Sequence, residues 1–252
     1  MKVFKFGGAS VRDEQSIKNL GSIVKSIIQK EPLVLVISAI GKTTNALEEV
    51  VNDFYFNRGD AIEKLQKIKE QHHQIASALG LEQLLNSGVL NDLFVEAEWL
   101  LEDEIEDPYD YIYDQIVAIG ELLSTRIVQA YLAEKMDRHS IWVDARDVIK
   151  TDDCYREGTP DWHNTDQKIR QFIQPALDQQ KTVVIAGFIG STTENNTITL
   201  GREGSDFTAA ILASLLKAES LTVWKDVPGI MTADPHVFSD AKLLPEIDYR
   251  EA

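Results

Sequence analysis

A lysine and two glycines near the start of the chain have the types and spacing of an anion-binding turn. Lys5 lies in a short apolar stretch, Gly7 and Gly8 follow it, and a helix is predicted to begin near Asp13. Adjacent glycines let backbone N–H groups approach a phosphate, and a helix N-terminus adds positive partial charge. An ordinary glycine turn would look the same, so the interpretation depends on distant segments.

A second glycine-bearing segment, residues 199–208, places an arginine between two glycines ahead of an apolar helix. Ser205 occupies the predicted N-cap, so free backbone N–H groups and the Arg202 guanidinium converge where the helix begins. Asp206 then lies in the first turn, where it either complements the helix dipole or orients cations around a transferring phosphoryl group. Because Lys5 supplies a further cation, we favour the phosphoryl interpretation.

Three other segments carry polar residues next to apolar ones. Residues 38–45 form a hydroxyl-rich loop that resembles the tail of a P-loop, but Val36 stands where that motif needs its first glycine, so capping of a helix near Asn45 is the alternative. Glu121 interrupts an apolar helical segment, where it either faces solvent, as the residues alone favour, or holds a cation such as a substrate ammonium. The strand and loop at 221–236 would suit a nucleotide's base and ribose.

The elements that must position these residues alternate between strands and helices. Strands are predicted at 3–6, 33–37, 141–143, 182–190 and 221–227, and helices at 13–29, 53–132, 167–178 and 209–216. Unbroken apolar strands indicate burial on both faces, as in a parallel sheet covered by helices, and residues 182–190 are predicted to be central. The spacing therefore predicts an α/β fold that opens with a right-handed βαβ unit.

Composition excludes several classes of protein. The 252 residues include 25 basic and 41 acidic ones, a net charge of −16 that repels nucleic acid and anionic membranes. Cys154 is the only cysteine, so an intrachain disulfide and a cysteine-based zinc site are excluded. His72 and His73 are adjacent and cannot readily share a metal. Without a signal-peptide core, and with no apolar run judged long enough to span a membrane, a cytoplasmic location is expected.

Five segments together resemble the aspartate kinases of the amino acid kinase family. They are Lys5-Phe6-Gly7-Gly8-Ala9-Ser10, residues 38–44, Gly120-Glu121, residues 201–206, and Asp226-Val227-Pro228-Gly229 with residues 232–235. They cover nearly the whole chain in the expected order, although each one alone would fit sister kinases that act on acetylglutamate, glutamate or UMP.

The resemblance implies a three-layer αβα sandwich with a mainly parallel central sheet, the amino acid kinase or carbamate kinase-like fold. It also implies transfer of the ATP γ-phosphoryl group, with Mg²⁺, to the side-chain carboxylate of L-aspartate, the first step of lysine, threonine and methionine biosynthesis. A homo-oligomer is implied for the full-length protein. We expect residues 1–252 to be a catalytic domain truncated at its C-terminus, with a helical excursion at about 53–132 and no ACT regulatory domains.

Roles for individual residues also follow from the resemblance. Lys5 and Asp206 are implied as catalytic residues, and Thr44, Glu121, Arg202 and Ser205 as substrate-binding residues. The implied ATP-binding residues are Lys5, Gly7, Gly8, Ser38, Lys225, Asp226, Met231 and His236, and no protein metal ligand is implied.

The chain departs from the family pattern at several of these positions. Ala9 replaces a Thr, Glu203 stands where a second glycine is more common, Lys225 replaces a Thr, and Met231 replaces a Tyr. A carboxylate at Glu203 would weaken phosphate binding, whereas Lys225 would add a cation near the phosphates. The alternative to a kinase is therefore a catalytically impaired module that binds nucleotide or amino acid.

Overall fold

A computed structural model describes residues 1–27, 31–136, 139–227, 229–235, 237–248 and 250. Its strands are β1 (Lys2–Phe6), β2 (Leu33–Ile37), β3 (Ser140–Val143), β4 (Thr182–Ala186), β5 (Ile189–Ser191), β6 (Thr197–Thr199) and β7 (Ser220–Trp224). Five of them form a parallel sheet in the order β3-β4-β2-β1-β7, and β5 and β6 form an antiparallel hairpin. The predicted α/β class and the opening βαβ unit are confirmed.

The apolar runs explain why the middle of the sheet is buried from solvent. Every residue of β2 and β4 is buried, as are Val3, Phe4 and Phe6 of β1. Successive side chains of a strand point to opposite faces, so burial of all of them requires cover on both faces. The prediction that residues 182–190 form the central strand is wrong in detail: β4 is an interior strand that ends at Ala186, and β2 holds the middle position.

Helices cover both faces of the sheet, and further helices pack beside it. They are α1 (Glu14–Ile27), α2 (Thr43–Tyr55), α3 (Ala61–Ala78), α4 (Glu82–Ser87), α5 (Val89–Glu102), α6 (Tyr109–Val117), α7 (Ile119–Met136), α8 (Ala145–Val148), α9 (Trp162–Phe172), α10 (Gln174–Asp178) and α11 (Gly204–Leu215). Helix α7 packs on β2, β3 and β4 and against α1, whereas α11 packs on β1, β2 and β7 and against α9. This is the three-layer arrangement that the resemblance implies.

The segment 53–132, expected to be a helical excursion, lies largely in helices α2 to α7. Leu65, Ile68 and Ile75 of α3 are buried as expected, but Ile62 is 52% exposed. Phe172, the last residue of α9, is 38% exposed, and Pro175 lies in the first turn of the next helix, α10.

The stretch Tyr109–Met136 is long and apolar enough to cross a membrane by length and composition alone. It comprises α6 and α7, and 83% of its apolar window is buried inside the protein. Burial of this kind is what a helix at the centre of a globular fold requires, so its hydrophobicity is explained by packing on the sheet.

Candidate active site

A cleft of about 1120 Å³ opens at the carboxyl ends of β1, β2 and β4. Open α/β sheets bind ligands at this edge, because the loops that leave neighbouring parallel strands meet there. Among the residues predicted for the site, those that line the cleft are Lys5, Gly8, Ser38, Thr44, Glu121, Arg202 and Ser205. Lys5 and Arg202, which are nearly 200 positions apart in the chain, thus face one space.

Lys5 lines the cleft and forms an ion pair with Asp206, which is not itself among the described residues that line it. Lys5 is 6% exposed on β1 between β2 and β7, and its Nζ lies 2.7 Å from Oδ1 of Asp206 in the first turn of α11. Burial raises the pKa of Asp206, but the hydrogen bond and charge of Lys5, with the charge of Lys225, lower that pKa below its ordinary value. Asp206 is therefore an ionised carboxylate that positions lysines, which goes beyond complementing the helix dipole.

Lys225 binds the other oxygen of the same carboxylate. Its Nζ lies 3.3 Å from Asp206 Oδ2 and 4.0 Å from Glu203 Oε2, just past the end of β7. Glu203 adopts the left-handed conformation with φ 58°, which glycine accepts without a Cβ penalty. That conformation gives a physical reason why the family more often has glycine at this position.

The glycine pair after β1 is used differently from the simple phosphate cradle predicted. The Gly7 N–H donates to the Trp224 carbonyl oxygen at 3.4 Å, so it continues the sheet, and Gly7 does not line the cleft. Gly8 does line it, and a Cβ there would lie 2.8 Å from the Gly41 carbonyl oxygen and 2.9 Å from that of Ala39. Glycine is required at Gly8 because two loop backbones touch.

Glu121 corrects the expectation, drawn from the residues alone, that its side chain faces solvent. It is 3% exposed near the start of α7, and its Oε2 has no hydrogen-bond partner among the described residues. Burial raises the pKa of Glu121 to about 8, although hydrogen bonds from the Ala39 and Glu121 backbones and the Thr44 side chain lower it. Since the cleft surface includes Glu121, an entering cation would find an unpaired acceptor.

The helix that follows the second glycine segment has its N-cap two residues earlier than predicted. Helix α11 starts at Gly204 with Glu203 at the N-cap, and no side chain caps it. Ser205 therefore lies inside the first turn, where its side chain lines the cleft, so its assignment as the N-cap is wrong. Arg202 remains beside that helix start, as predicted.

The predicted nucleotide loop lies beyond β7. Lys225, Asp226 and Met231 are not among the described residues that line the cleft, and the Asp226 side chain is exposed. Met231 pairs with Leu243, and Thr232 donates its N–H to the Lys242 carbonyl oxygen, so the chain turns back on itself here. His236 lies outside the described residues.

The cleft also contains residues that the sequence reasoning missed. They include Glu48, Asp110, Tyr113, Arg156 and Phe188. A signal existed for Arg156: in an acidic chain, an arginine two residues before a glycine is informative, as it is at Arg202. In the polar segment before it, Arg146 pairs with Asp144 at 2.8 Å, and Asp152 accepts a hydrogen bond from the backbone N–H of Thr159.

Comparison with known proteins gives a consistent result over the full chain. The model of the amino acid kinase family matches residues 1–252. The lysine-sensitive aspartokinase 3 of Escherichia coli is 34% identical over 99% of this chain and 54% of its own length, and the aspartokinase of Chlamydia trachomatis is 32% identical, also over 99% and 54%. The chain thus spans about half the length of these curated relatives.

A solved structure matches the fold as a whole. The crystal structure of E. coli aspartokinase III in complex with aspartate and ADP superposes with a TM-score of 0.87 at 33% identity, covering 97% of this chain and 53% of that one.

Proposed function

The chain belongs to the amino acid kinase family, and from that premise we propose that it transfers the γ-phosphoryl group of ATP to the side-chain carboxylate of L-aspartate. In this step a carboxylate oxygen forms a bond to the γ-phosphorus, the bond from that phosphorus to the β,γ-bridging oxygen breaks, and ADP leaves with 4-phospho-L-aspartate as the other product. The names of the matched relatives and the aspartate and ADP of the E. coli structure support this choice.

One observation carries the proposal: Lys5, whose ammonium pairs with Asp206, and Glu121, whose Oε2 has no partner among the described residues, line the same cleft. Phosphoryl transfer needs positive charge where the phosphoryl group moves, and an amino acid acceptor needs a buried anion for its ammonium. Lys5 supplies the positive charge at what we call the phosphoryl end of the cleft, and Glu121 supplies the buried anion at what we call the amino acid end.

The acceptor needs no general base. A free aspartate carboxylate has a reference pKa of about 4 and is already ionised at neutral pH. Lys5 then reduces the repulsion between this anion and the triphosphate, and Asp206 keeps the Lys5 ammonium in place. Positioning and charge neutralisation supply the catalysis.

The amino acid end of the cleft is assigned to Thr44, Glu121, Arg202 and Ser205. Glu121 receives the substrate ammonium, and because its pKa is raised to about 8, ligand binding ionises a carboxyl group that is largely protonated in the empty cleft at neutral pH. Arg202 binds the α-carboxylate, since a guanidinium pairs with a carboxylate through two parallel hydrogen bonds. Thr44 orients Glu121.

The nucleotide end is assigned to Gly8, Ser38, Lys225, Asp226 and Met231, and Mg²⁺ enters with ATP. The described residues contain no group of three or more His, Cys, Asp or Glu side chains that would hold a metal, which fits an ion bound mainly through phosphate oxygens and water. When bound, Mg²⁺ neutralises charge on the triphosphate.

A second candidate, a module that binds nucleotide or amino acid without turnover, is favoured by Glu203. Its carboxylate lies 4.0 Å from the Lys225 ammonium and adds negative charge beside the proposed phosphate site. Such charge weakens binding of an anionic nucleotide.

The test is ADP release by the full chain with MgATP and L-aspartate, with acetylglutamate, glutamate and UMP as competing acceptors. Turnover with aspartate alone supports the proposal, and turnover with another acceptor reassigns the substrate. Calorimetric binding of ATP or aspartate without turnover supports the second candidate.

We place the protein in the cytoplasm, as its single free cysteine suggests.

A further inference from the structure

Asp114 is a buried carboxylate that the proposed phosphoryl transfer leaves unused. It lies on α6 with no exposed surface and accepts three hydrogen bonds, from the Arg156 backbone N–H at 2.9 Å, the Thr199 backbone N–H at 3.0 Å and the Thr199 hydroxyl at 2.6 Å. Burial raises its pKa to about 6, and these donors lower it from a still higher value. The carboxylate is therefore mainly ionised at neutral pH, and three donors stabilise it.

The three donors come from two loops of the cleft wall. Residues 152–158 carry Arg156, and residues 199–204 carry Arg202; both arginines line the cleft. The loops also touch directly, because the Gly158 N–H donates to the Thr199 carbonyl oxygen at 3.0 Å. Gly201, at φ 75°, comes so close that a Cβ on it would lie 3.2 Å from the Arg156 carbonyl oxygen.

Arg156 adopts a backbone conformation that it would not choose unaided. Its φ is 67°, in the left-handed region that is sterically unfavourable for a residue with a Cβ. Its guanidinium carbon lies 4.4 Å from the centre of the Tyr113 ring, and Nη1 lies 3.2 Å from Asp110 Oδ1. The hydrogen bond from its N–H to Asp114 offsets part of the backbone cost, because it involves a buried charged acceptor.

We propose that Asp114 is a positioning residue for the amino acid substrate: its carboxylate joins the loops at 152–158 and 199–204, so that Arg156 and Arg202 line the cleft together. The inference rests on the proposed function and adds Arg156 to the amino acid end of the site. Asp114 contacts neither substrate. Its effect reaches the amino acid and not ATP, because the proposed nucleotide contacts follow β1, β2 and β7 instead.

Asp114→Asn tests this directly. Asparagine keeps the size of the side chain but replaces one acceptor oxygen with an NH₂ group that faces a donor. We expect the KM for L-aspartate to rise at least about tenfold, as expected for lost hydrogen bonds to a buried charge, while the KM for ATP stays within about twofold. Thr199→Val removes only the 2.6 Å bond and should give a smaller rise in the same direction, which Thr199→Ser restores.

His72→Gln is the matched control. His72 is also fully buried and makes one polar contact, from Nδ1 to the Ile68 carbonyl oxygen at 2.7 Å, but it lies on α3 and does not line the cleft. The His72→Gln substitution should lower the melting temperature without changing the ratio of the KM for L-aspartate to the KM for ATP. A parallel rise of both KM values in Asp114→Asn, or an unchanged KM for aspartate, would overturn the inference.

A second measurement needs no turnover. Cys154 is the only cysteine, is exposed, and lies two residues before Arg156, so a nitroxide spin label on it reports motion of the 152–158 loop in the full chain without substrate. Asp114→Asn should narrow the spectral lines, and His72→Gln should not. If the label responds but no aspartate is phosphorylated, the loop coupling holds and the proposed function fails. If turnover occurs but neither the lines nor the KM for aspartate change, the proposed function holds and this inference fails.

Discussion

Two carboxylates of the candidate site, Asp206 and Glu121, have neighbours with opposite effects on their charge. Asp206 has a lysine within 3.3 Å of each oxygen, and its pKa is held below the ordinary value. Among the described residues, Glu121 has no cation beside it and its Oε2 has no hydrogen-bond partner, and its pKa is raised to about 8. The protein therefore supplies the counter-charge at the phosphoryl end and leaves the ligand to supply it at the amino acid end.

Lys5→Met removes the closest cation of Asp206, the carboxylate that is paired with lysines, and should have the largest effect of the substitutions considered. Asp206 loses its closest cation and the transferring phosphoryl group loses a positive charge, so kcat should fall at least about a thousandfold. ADP release measured with saturating MgATP and L-aspartate gives this number.

Lys2→Met is the matched control for that change. Lys2 lies on the same strand but pairs with Glu31 at 3.2 Å on the surface, so kcat should stay within about twofold. Equal losses from the two variants would mean that the strand, and not the Lys5 and Asp206 pair, determines the rate.

Glu121→Gln removes the charge of the carboxylate that has no cation beside it. The substitution should change the binding of L-aspartate more than kcat. The substrate ammonium loses its anion, so the KM for L-aspartate should rise roughly tenfold to a hundredfold with a smaller change in kcat. The melting temperature should not fall, because glutamine resembles the protonated acid that the empty cleft favours. Glu134→Gln, on the same helix but away from the cleft, should leave the KM unchanged; a similar rise there would refute the assignment.

The pH dependence of kcat/KM for aspartate sharpens the comparison. Below a pKa of about 8, most free protein carries protonated Glu121 and cannot pair with the ammonium. The value of kcat/KM should therefore rise with pH, by about fiftyfold between pH 6 and pH 8 if Glu121 alone controls it. Glu121→Gln should remove that rise, and a flat profile for the unmodified protein would show that the carboxyl group is already ionised.

Glu203→Gly should produce the smallest effect. It acts near Lys225, one of the two lysines that pair with Asp206. Glycine relieves the left-handed conformation at φ 58°, so stability should increase by about 1 kcal/mol in thermal unfolding. Loss of the carboxylate near Lys225 should also lower the KM for ATP about two- to fourfold. Asn195→Gly, at another exposed residue with positive φ, serves as the control, because it should leave the KM for ATP unchanged.

Most of the fold was predictable because its signals are local. The unbroken apolar runs of β2 and β4 and the glycine-bearing turn after β1 can be seen directly in the chain. The order of strands was not predictable, since an apolar run shows that a strand is buried on both faces but not which strands flank it. That is why β4 was placed at the centre.

The site was predictable where residue types are distinctive, as at Lys5, Arg202 and Asp206, and less so where tertiary structure decides. From the residues alone Glu121 was expected to face solvent, because a carboxylate on a helix usually does, and only the packing of α7 under the loops after β2 encloses it. Arg156 was missed because its position depends on a hydrogen bond to Asp114, which is 42 residues away in the chain.

The place of β1 in the sheet has a consequence for synthesis of the protein. This strand leaves the ribosome well before β7, which is one of its two neighbours and whose register joins Lys2–Phe6 to Ser220–Trp224. Contacts so distant in sequence form late, because the whole intervening loop must close. A nascent chain that has not yet released residue 224 already contains the residues of the proposed amino acid end while the strand bearing Lys5 still has an open edge, so the proposed nucleotide end is completed later.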